Sequence, residues 1–197
     1  MAPGDLGYVG AVDDITGTFR LGPDCGRVVV KTGRAGLAAR AGHDLTIEIT
    51  RWSATVTAPA SGGGGTAAAA VTAELDLGSL AVREGTGGAK PLSDKDRRDI
   101  LNTARKILGG GSASFASSRV VPAASGGAIE GTLTLGGRTR PARLELTSPA
   151  PGRYQGTATV RQTDYGITPY SGLFGTLKLL DEVGVEVEAD LTRAARQ

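Results

Sequence analysis

Val183-Gly-Val-Glu-Val-Glu-Ala-Asp-Leu191 sets Val183, Val185, Val187, Ala189 and Leu191 at every second position and fills the gaps with Gly184, Glu186, Glu188 and Asp190. Successive side chains of an extended chain point to opposite faces, so this stretch reads as a strand with one dry and one wet face. The pattern recurs in Leu45, Ile47 and Ile49 against Thr46, Glu48 and Thr50, and in Val71, Ala73, Leu75 and Leu77 against Thr72, Glu74 and Asp76. Leu133 and Leu135 run into Gly136-Gly137, after which Ala142, Leu144 and Leu146 alternate with Arg143 and Glu145. A Gly-Gly pair between two such runs predicts a hairpin, because primed turns need positive φ at their centre. Pro141 has no N–H to donate, which marks an edge, a bulge or the start of pairing.

Weaker strands are read at Thr18 to Leu21, Val28 to Lys31, Ala113 to Val121 and Tyr154 to Val160. Between Ile49 and Trp52 the apolar parity changes from odd to even and continues through Ala54 and Val56, which predicts a bend or bulge at Thr50-Arg51. One helix stands apart. Ser93 is its N-cap, Asp94 and Asp96 fall in its first turn, Ile100, Ala104, Ile107 and Leu108 form its apolar stripe, and Gly109 stops it. Many short strands with turn signals, no strand-helix alternation and one isolated amphipathic α-helix place the chain among all-β antiparallel sandwiches or barrels.

Length and composition agree with one β domain, since barrels and sandwiches of 197 residues commonly form a single unit. Hydrophobic residues at 40% and charged residues at 21% allow a core. The 31 glycines imply many turns and sharp bends, and Ala58 to Ala70 reads as a Gly/Ala loop. A net charge of +2 with both signs interspersed offers no stripe for phosphates, so no nucleic acid partner is expected. Met1 to Thr16 has neither a basic nor an apolar region of a secretory signal, and no run approaches the roughly 18 apolar residues of a membrane helix. Cys25 and His43 are the sole residues of their types, which leaves no internal disulfide and no Cys/His metal cluster. The expectation is a cytoplasmic protein with no transmembrane segment, no metal and no cofactor, with a homodimer as the candidate assembly.

His43-Asp44 is the pair that invites an acid-base reading. Adjacent strand residues face opposite ways, so the two do not form a dyad with each other. His43 then has three readings: a buried histidine satisfied by backbone groups near a strand end, a polar contact to a ligand, or an acid-base catalyst. Gly85 to Lys90 has Pro91 after the lysine and the wrong spacing for a phosphate loop, and neither G-x-S-x-G nor H-E-x-x-H occurs. Between Arg161 and Leu180 the chain gathers Tyr165, Tyr170 and Phe174 among Gly166, Gly172 and Gly175. This is either a satellite cluster closing one end of the fold or a lid over an apolar cavity.

Three stretches carry a resemblance. KTGRAGLAARAGHDLTIE from Lys31 to Glu48 is similar to the early strands of the YceI-like proteins, with their histidine at His43. SFASSRV from Ser114 to Val120, followed by EGTLTLGGRTRP from Glu130 to Pro141, resembles their central hairpin. RQTDYGI from Arg161 to Ile167 resembles their late Arg-x-x-Asp-aromatic-Gly-Ile signature. Arg83 to Leu92 and Ala104 to Gly109 resemble a cytosolic, actinobacterial-type branch.

The resemblance implies an antiparallel, lipocalin-like closed barrel of about eight strands over residues 18–192, with an extension at 1–17 and a tail at 193–197. It also implies binding, sequestration or transport of a long apolar small molecule, an isoprenoid or isoprenoid quinone, inside the barrel. Wall candidates are Leu45, Ile47, Trp52, Ala54 and Phe115. Tyr165, Ile167, Tyr170 and Phe174 are mouth or lid candidates, with His43, Arg161 and Asp164 as polar ones. Two alternatives remain open: an isomerase or cyclase using His43, Asp164 or Tyr165 in the same cavity, and a stress-response protein whose barrel is filled by its own side chains.

Overall fold

The computed structural model describes residues 15–59, 68–123 and 126–197. The extension expected at 1–17 and the Gly/Ala loop of Ala58 to Ala70 therefore lie largely outside the described residues. In chain order the elements are β1 (Gly17–Leu21), β2 (Gly26–Thr32), β3 (Arg34–Ala35), β4 (Asp44–Ile49), β5 (Trp52–Ala58), β6 (Ala70–Asp76) and β7 (Leu80–Thr86). Helix α1 (Asp94–Leu108) follows, then β8 (Ser112–Ala123), β9 (Gly126–Leu135), β10 (Arg138–Ala150) and β11 (Arg153–Arg161). The chain ends with β12 (Ser171–Gly172), β13 (Leu177–Leu179), β14 (Glu182–Asp190) and β15 (Ala195–Arg196).

Twelve strands form one antiparallel sheet, ordered β15-β1-β5-β6-β8-β9-β10-β11-β14-β2-β4-β7 and curled into a half-barrel. A small sheet, β12-β13-β3, sits apart from it. In place of the expected closed barrel of about eight strands, the hydrogen-bonded sheet has twelve strands and ends at β15 and β7. The physical reason is bending. Four consecutive pairs, β1–β2, β4–β5, β6–β7 and β14–β15, are each split by a short corner.

The corner at Thr50-Arg51 is held by backbone and side-chain bonds together. The Thr50 hydroxyl donates to the Ser79 carbonyl at 2.7 Å, the Arg51 N–H donates to the Ser79 hydroxyl at 2.9 Å, and that hydroxyl donates to the Asp76 carbonyl at 2.7 Å. Ser79 is buried, and these bonds satisfy it. The hairpin at Gly136-Gly137 has φ of 58° and 74°, joining β9 to β10 with Arg138 opposite Leu135. Pro141 lies inside β10, opposite Thr132 of β9. On its other flank β11 is unpaired, so the missing donor breaks no ladder there.

Helix α1 carries a capping box: Ser93 Oγ accepts from the Asp96 N–H at 3.2 Å, and the Asp96 carboxylate accepts from the Ser93 N–H at 2.9 Å. Its apolar stripe, with Ile100, Leu101, Ala104 and Leu108, packs on a cluster that includes Leu45, Ile47, Ile49, Leu77, Leu80 and Val82. A second cluster joins Phe19, Leu21, Cys25 and Leu191, and Trp52 touches both. No large side chain among the described residues is fully buried. The inward positions of β10, which run Ala142, Leu144 and Leu146, are only half-buried. The fold is packed under the helix and hollow elsewhere.

Candidate functional site

The hollow is a cavity of about 560 Å³. Its wall is aliphatic because the dry faces of β5, β6, β8, β9, β10, β11 and β14 all turn toward it, and α1 adds Ala104, Ile107 and Leu108 at one side. Positions that would fill the space carry small side chains: Ala142, Gly156, Ala158 and Ala189 line it on β10, β11 and β14. Leu144 lies over Gly156, where an added Cβ would meet its Cδ2 at 2.9 Å.

One side of the wall parts. The β10–β11 ladder pairs Glu145 with Thr157 and proceeds toward the Ala150–Arg153 end, leaving Arg138 to Leu144 without partners on β11. Along this seam residues of both parities line the cavity, Pro141 and Arg143 with Ala142 on β10, and Thr159 and Arg161 with Val160 on β11. Outward-facing residues line a cavity only where it passes between the strands, so the seam is a route to its interior.

Of the candidates read from the sequence, Ile47, Trp52, Ala54 and Phe115 line the cavity. Leu45 does not; it is packed in the cluster beneath α1. At the seam end the structure brings together Arg161, Asp164, Tyr165, Ile167 and Tyr170. Tyr165 and Ile167 are buried, and Arg161 turns outward to pair with Glu182 at 2.7 Å.

Of the three readings open for His43, the histidine satisfied by a backbone group near a strand end is the one that fits, and neither His43 nor Phe174 is at the cavity as a mouth residue. His43 precedes β4, and its Nε2–H donates to the Lys90 carbonyl at 2.7 Å, away from the cavity lining. Asp44 turns elsewhere, accepting from the Arg34 N–H at 2.9 Å. Phe174 is fully exposed and does not line the cavity.

Arg140 was missed. It lies opposite Leu133, in register with the inward positions Ala142 and Leu144, and lines the cavity near Tyr165. Among the described residues it forms no ion pair. Its parity with Ala142 was the signal available in the sequence. Burial above all, and next the Asp164 carboxylate, push the Tyr165 phenol above its ordinary pKa, while the Arg140 charge pulls it down. The phenol is therefore a neutral donor through the physiological range. An apolar chamber whose seam carries one cation outside any ion pair, Arg140, beside the paired Arg143 and Arg161 and the phenols of Tyr165 and Tyr170, holds a tail and offers few contacts to a head.

The YceI-like domain profile matches residues 19–191. The chain belongs to the YceI-like family. Among solved structures it is similar to BcnA of Burkholderia cenocepacia, at 15% identity over 83% of this chain and 94% of that one, with a TM-score of 0.51. It is also similar to a polyisoprenoid binding domain from Saccharophagus degradans implicated in plant cell wall breakdown, at 13% identity over 88% of this chain and 96% of that one, with a TM-score of 0.50. At such identities these likenesses speak to fold alone. No curated protein matches the chain. Among the described residues of this YceI-like chain no helix is long and apolar enough to cross a membrane.

Proposed function

We propose that this YceI-like protein sequesters or carries a long apolar small molecule of the isoprenoid class. The observation that carries the reading is the aliphatic cavity of about 560 Å³. At roughly 30 Å³ per non-hydrogen atom, it takes about 20 such atoms, the bulk of about four isoprene units. Each buried methylene contributes about 0.8 kcal/mol, so a tail of that size needs few polar contacts, and length and shape set specificity. The cavity argues against a barrel filled by its own side chains. The relative described as a polyisoprenoid binding domain supports the same ligand class.

Taking each bent pair of strands as one stave gives eight staves around the ligand, and the seam between β10 and β11 is its entrance. Ile47, Trp52, Ala54 and Phe115 form the wall together with Leu133, Leu144 and Val185, while Arg140 and Tyr165 meet the polar end of the ligand. The protein acts in the cytoplasm. His43 faces away from the cavity, which removes that residue from an acid-base role there.

Native mass spectrometry of freshly purified protein, followed by titration of delipidated protein with geranylgeraniol and readout through Trp52 fluorescence, tests the reading. A stoichiometric bound mass, or saturable quenching at one ligand per chain, is expected. Neither bound mass nor quenching overturns it.

A further inference from the structure

Leu37, Leu173 and Phe174 are exposed at one end of the molecule, on the two loops that the small β12-β13-β3 sheet joins. The loops are tied together, since the Ala38 N–H donates to the Thr176 carbonyl at 2.9 Å. Of the neighbouring apolar residues, Leu177 lies over Gly42, and Leu180 and the Tyr170 ring reach over Gly33 and Gly172 while remaining exposed. Leu173 and Phe174 are more exposed still, and their backbones sit at φ of 49° and 56°, a region that bulky side chains rarely adopt. The Thr176 hydroxyl and N–H both bond the Leu173 carbonyl and hold this turn. The fold thus fixes two large apolar side chains in an outward position.

The two loops themselves carry charge of one sign, with Asp44 and Asp181 just beyond them. Residues 34–42 and 169–180 include Arg34, Arg40 and Lys178 and contain no Asp or Glu. Arg34 is paired with Asp44 at 3.5 Å, whereas Arg40 and Lys178 are exposed and form no ion pair among the described residues. Lys178 stands opposite Ser171 on β12 and Ala35 on β3, at the base of the apolar tip. Leu179 of β13 and Tyr170, just before β12, also line the cavity.

We infer that this tip docks the protein on an anionic lipid bilayer, with Phe174, Leu173 and Leu37 entering the interface and Arg40 and Lys178 facing lipid phosphates. A short apolar tip ringed by unpaired cations is complementary to such a surface, since apolar burial and attraction to anionic headgroups then act together. The purpose assigned to docking, loading or release of an apolar cargo at the membrane, rests on the proposed function; the docking itself does not.

The test is co-sedimentation of the full chain with vesicles of phosphatidylglycerol and phosphatidylcholine, against vesicles of phosphatidylcholine alone. The wild type is expected to bind the anionic vesicles and to dissociate as salt is raised. Phe174→Gly removes the ring and suits the positive φ, so the variant keeps its melting temperature while its partitioning falls about tenfold or more. Arg40→Glu with Lys178→Glu lowers partitioning on anionic vesicles by about fivefold or more per cation. Absence of wild-type binding, or binding that these variants leave unchanged, overturns the inference. So does a wild-type dimer that Phe174→Gly dissociates, which assigns the tip to a second copy of the chain. Cavity occupancy is read separately with the fluorescent probe N-phenyl-naphthylamine. Docking without probe uptake refutes the cargo reading and leaves the docking surface standing.

Discussion

Ala158→Phe tests the cavity as a ruler for chain length. Ala158 lines the middle of the wall on β11, opposite Val185 of β14, and belongs to neither packed cluster. Phenylalanine adds six non-hydrogen atoms, which at roughly 30 Å³ each take about 180 Å³. That is about a third of the 560 Å³ chamber. A ligand of four isoprene units then returns about one unit to water through the seam. At about 0.8 kcal/mol per methylene-sized group the loss is about 4–5 kcal/mol, or roughly a thousandfold in affinity. Geraniol, with about 11 non-hydrogen atoms, still fits the remaining space and changes by less than about tenfold. The assay is paired titration of geraniol and geranylgeraniol by Trp52 fluorescence, with bound mass checked by native mass spectrometry. The new ring enters empty space, so the melting temperature holds or rises. Equal loss for both ligands, or no loss for the longer one, refutes the reasoning.

Three further outcomes follow from the geometry. Arg140→Leu removes the seam cation that is outside any ion pair, leaving Arg143 and Arg161 with their glutamates, and titration should show affinity for geranylgeranyl phosphate falling about tenfold or more while affinity for geranylgeraniol is kept, as expected for a charge-assisted bond. Ser93→Ala removes half of the capping box and should lower stability by about 1 kcal/mol, read as a drop of a few degrees in melting temperature. The Ser93 hydroxyl and N–H hold the Asp96 carboxyl below its ordinary 3.8, so its contribution is present in full above that pH and lost as pH falls below it; Ser93→Ala should flatten this acid limb in thermal melts. Gly26→Ala places a Cβ 2.6 Å from the Glu188 carbonyl and 2.9 Å from the Trp52 ring, and should cost about 1–3 kcal/mol in denaturant unfolding with a shifted Trp52 emission.

Strand content was legible because alternation is a local property: the parities of Leu45 to Ile49, Ala142 to Leu146 and Val183 to Leu191 are those of the folded faces. Strand count was less so. A bend such as Thr50-Arg51 shows in the sequence as a change of parity, and the split at 77–79 carries the same mark, from Leu75 and Leu77 to Leu80 and Val82, whereas at residues 22–25 the unbroken run Val28-Val29-Val30 that follows hides it. The reading of His43 as a cavity contact came from extending the parity of β4 one residue beyond the strand, where the chain is already leaving the turn of Ala39–Ala41, whereas its reading as a histidine held by a backbone group at a strand end fits the bond to Lys90. Phe174 was assigned to the mouth or lid because it clusters with Tyr165 and Tyr170 among Gly166, Gly172 and Gly175. Its direction is set by a positive φ, which nothing in the neighbouring residue types reveals.

The seam is the harder case, because it is an absence of pairing between strands whose own patterns continue on either side of it. Leu144 and Ala158 each alternate as members of a sheet should, yet the ladder between β10 and β11 starts only at Glu145 and Thr157. The hollow, by contrast, has a compositional cause. With eight aromatic residues in 197, the chain has little bulk with which to fill a barrel-sized interior. Several of its large aliphatic side chains, Leu45, Ile49, Leu77 and Leu80 among them, pack against the helix. On the opposite wall Leu144, Val160 and Val185 alternate with the small Ala142, Gly156, Ala158 and Ala189, which leave the space open. Small residues on an inward face are a defect in a solid core and a requirement in a binding chamber. The same scarcity of bulk that makes the interior hollow also leaves Phe174 conspicuous, since one of the chain's three phenylalanines is held in solvent on a strained turn. A chain that needed aromatic bulk for its core alone would have placed it inside; holding it at the tip beside Arg40 and Lys178 makes sense if an apolar, anionic surface receives it.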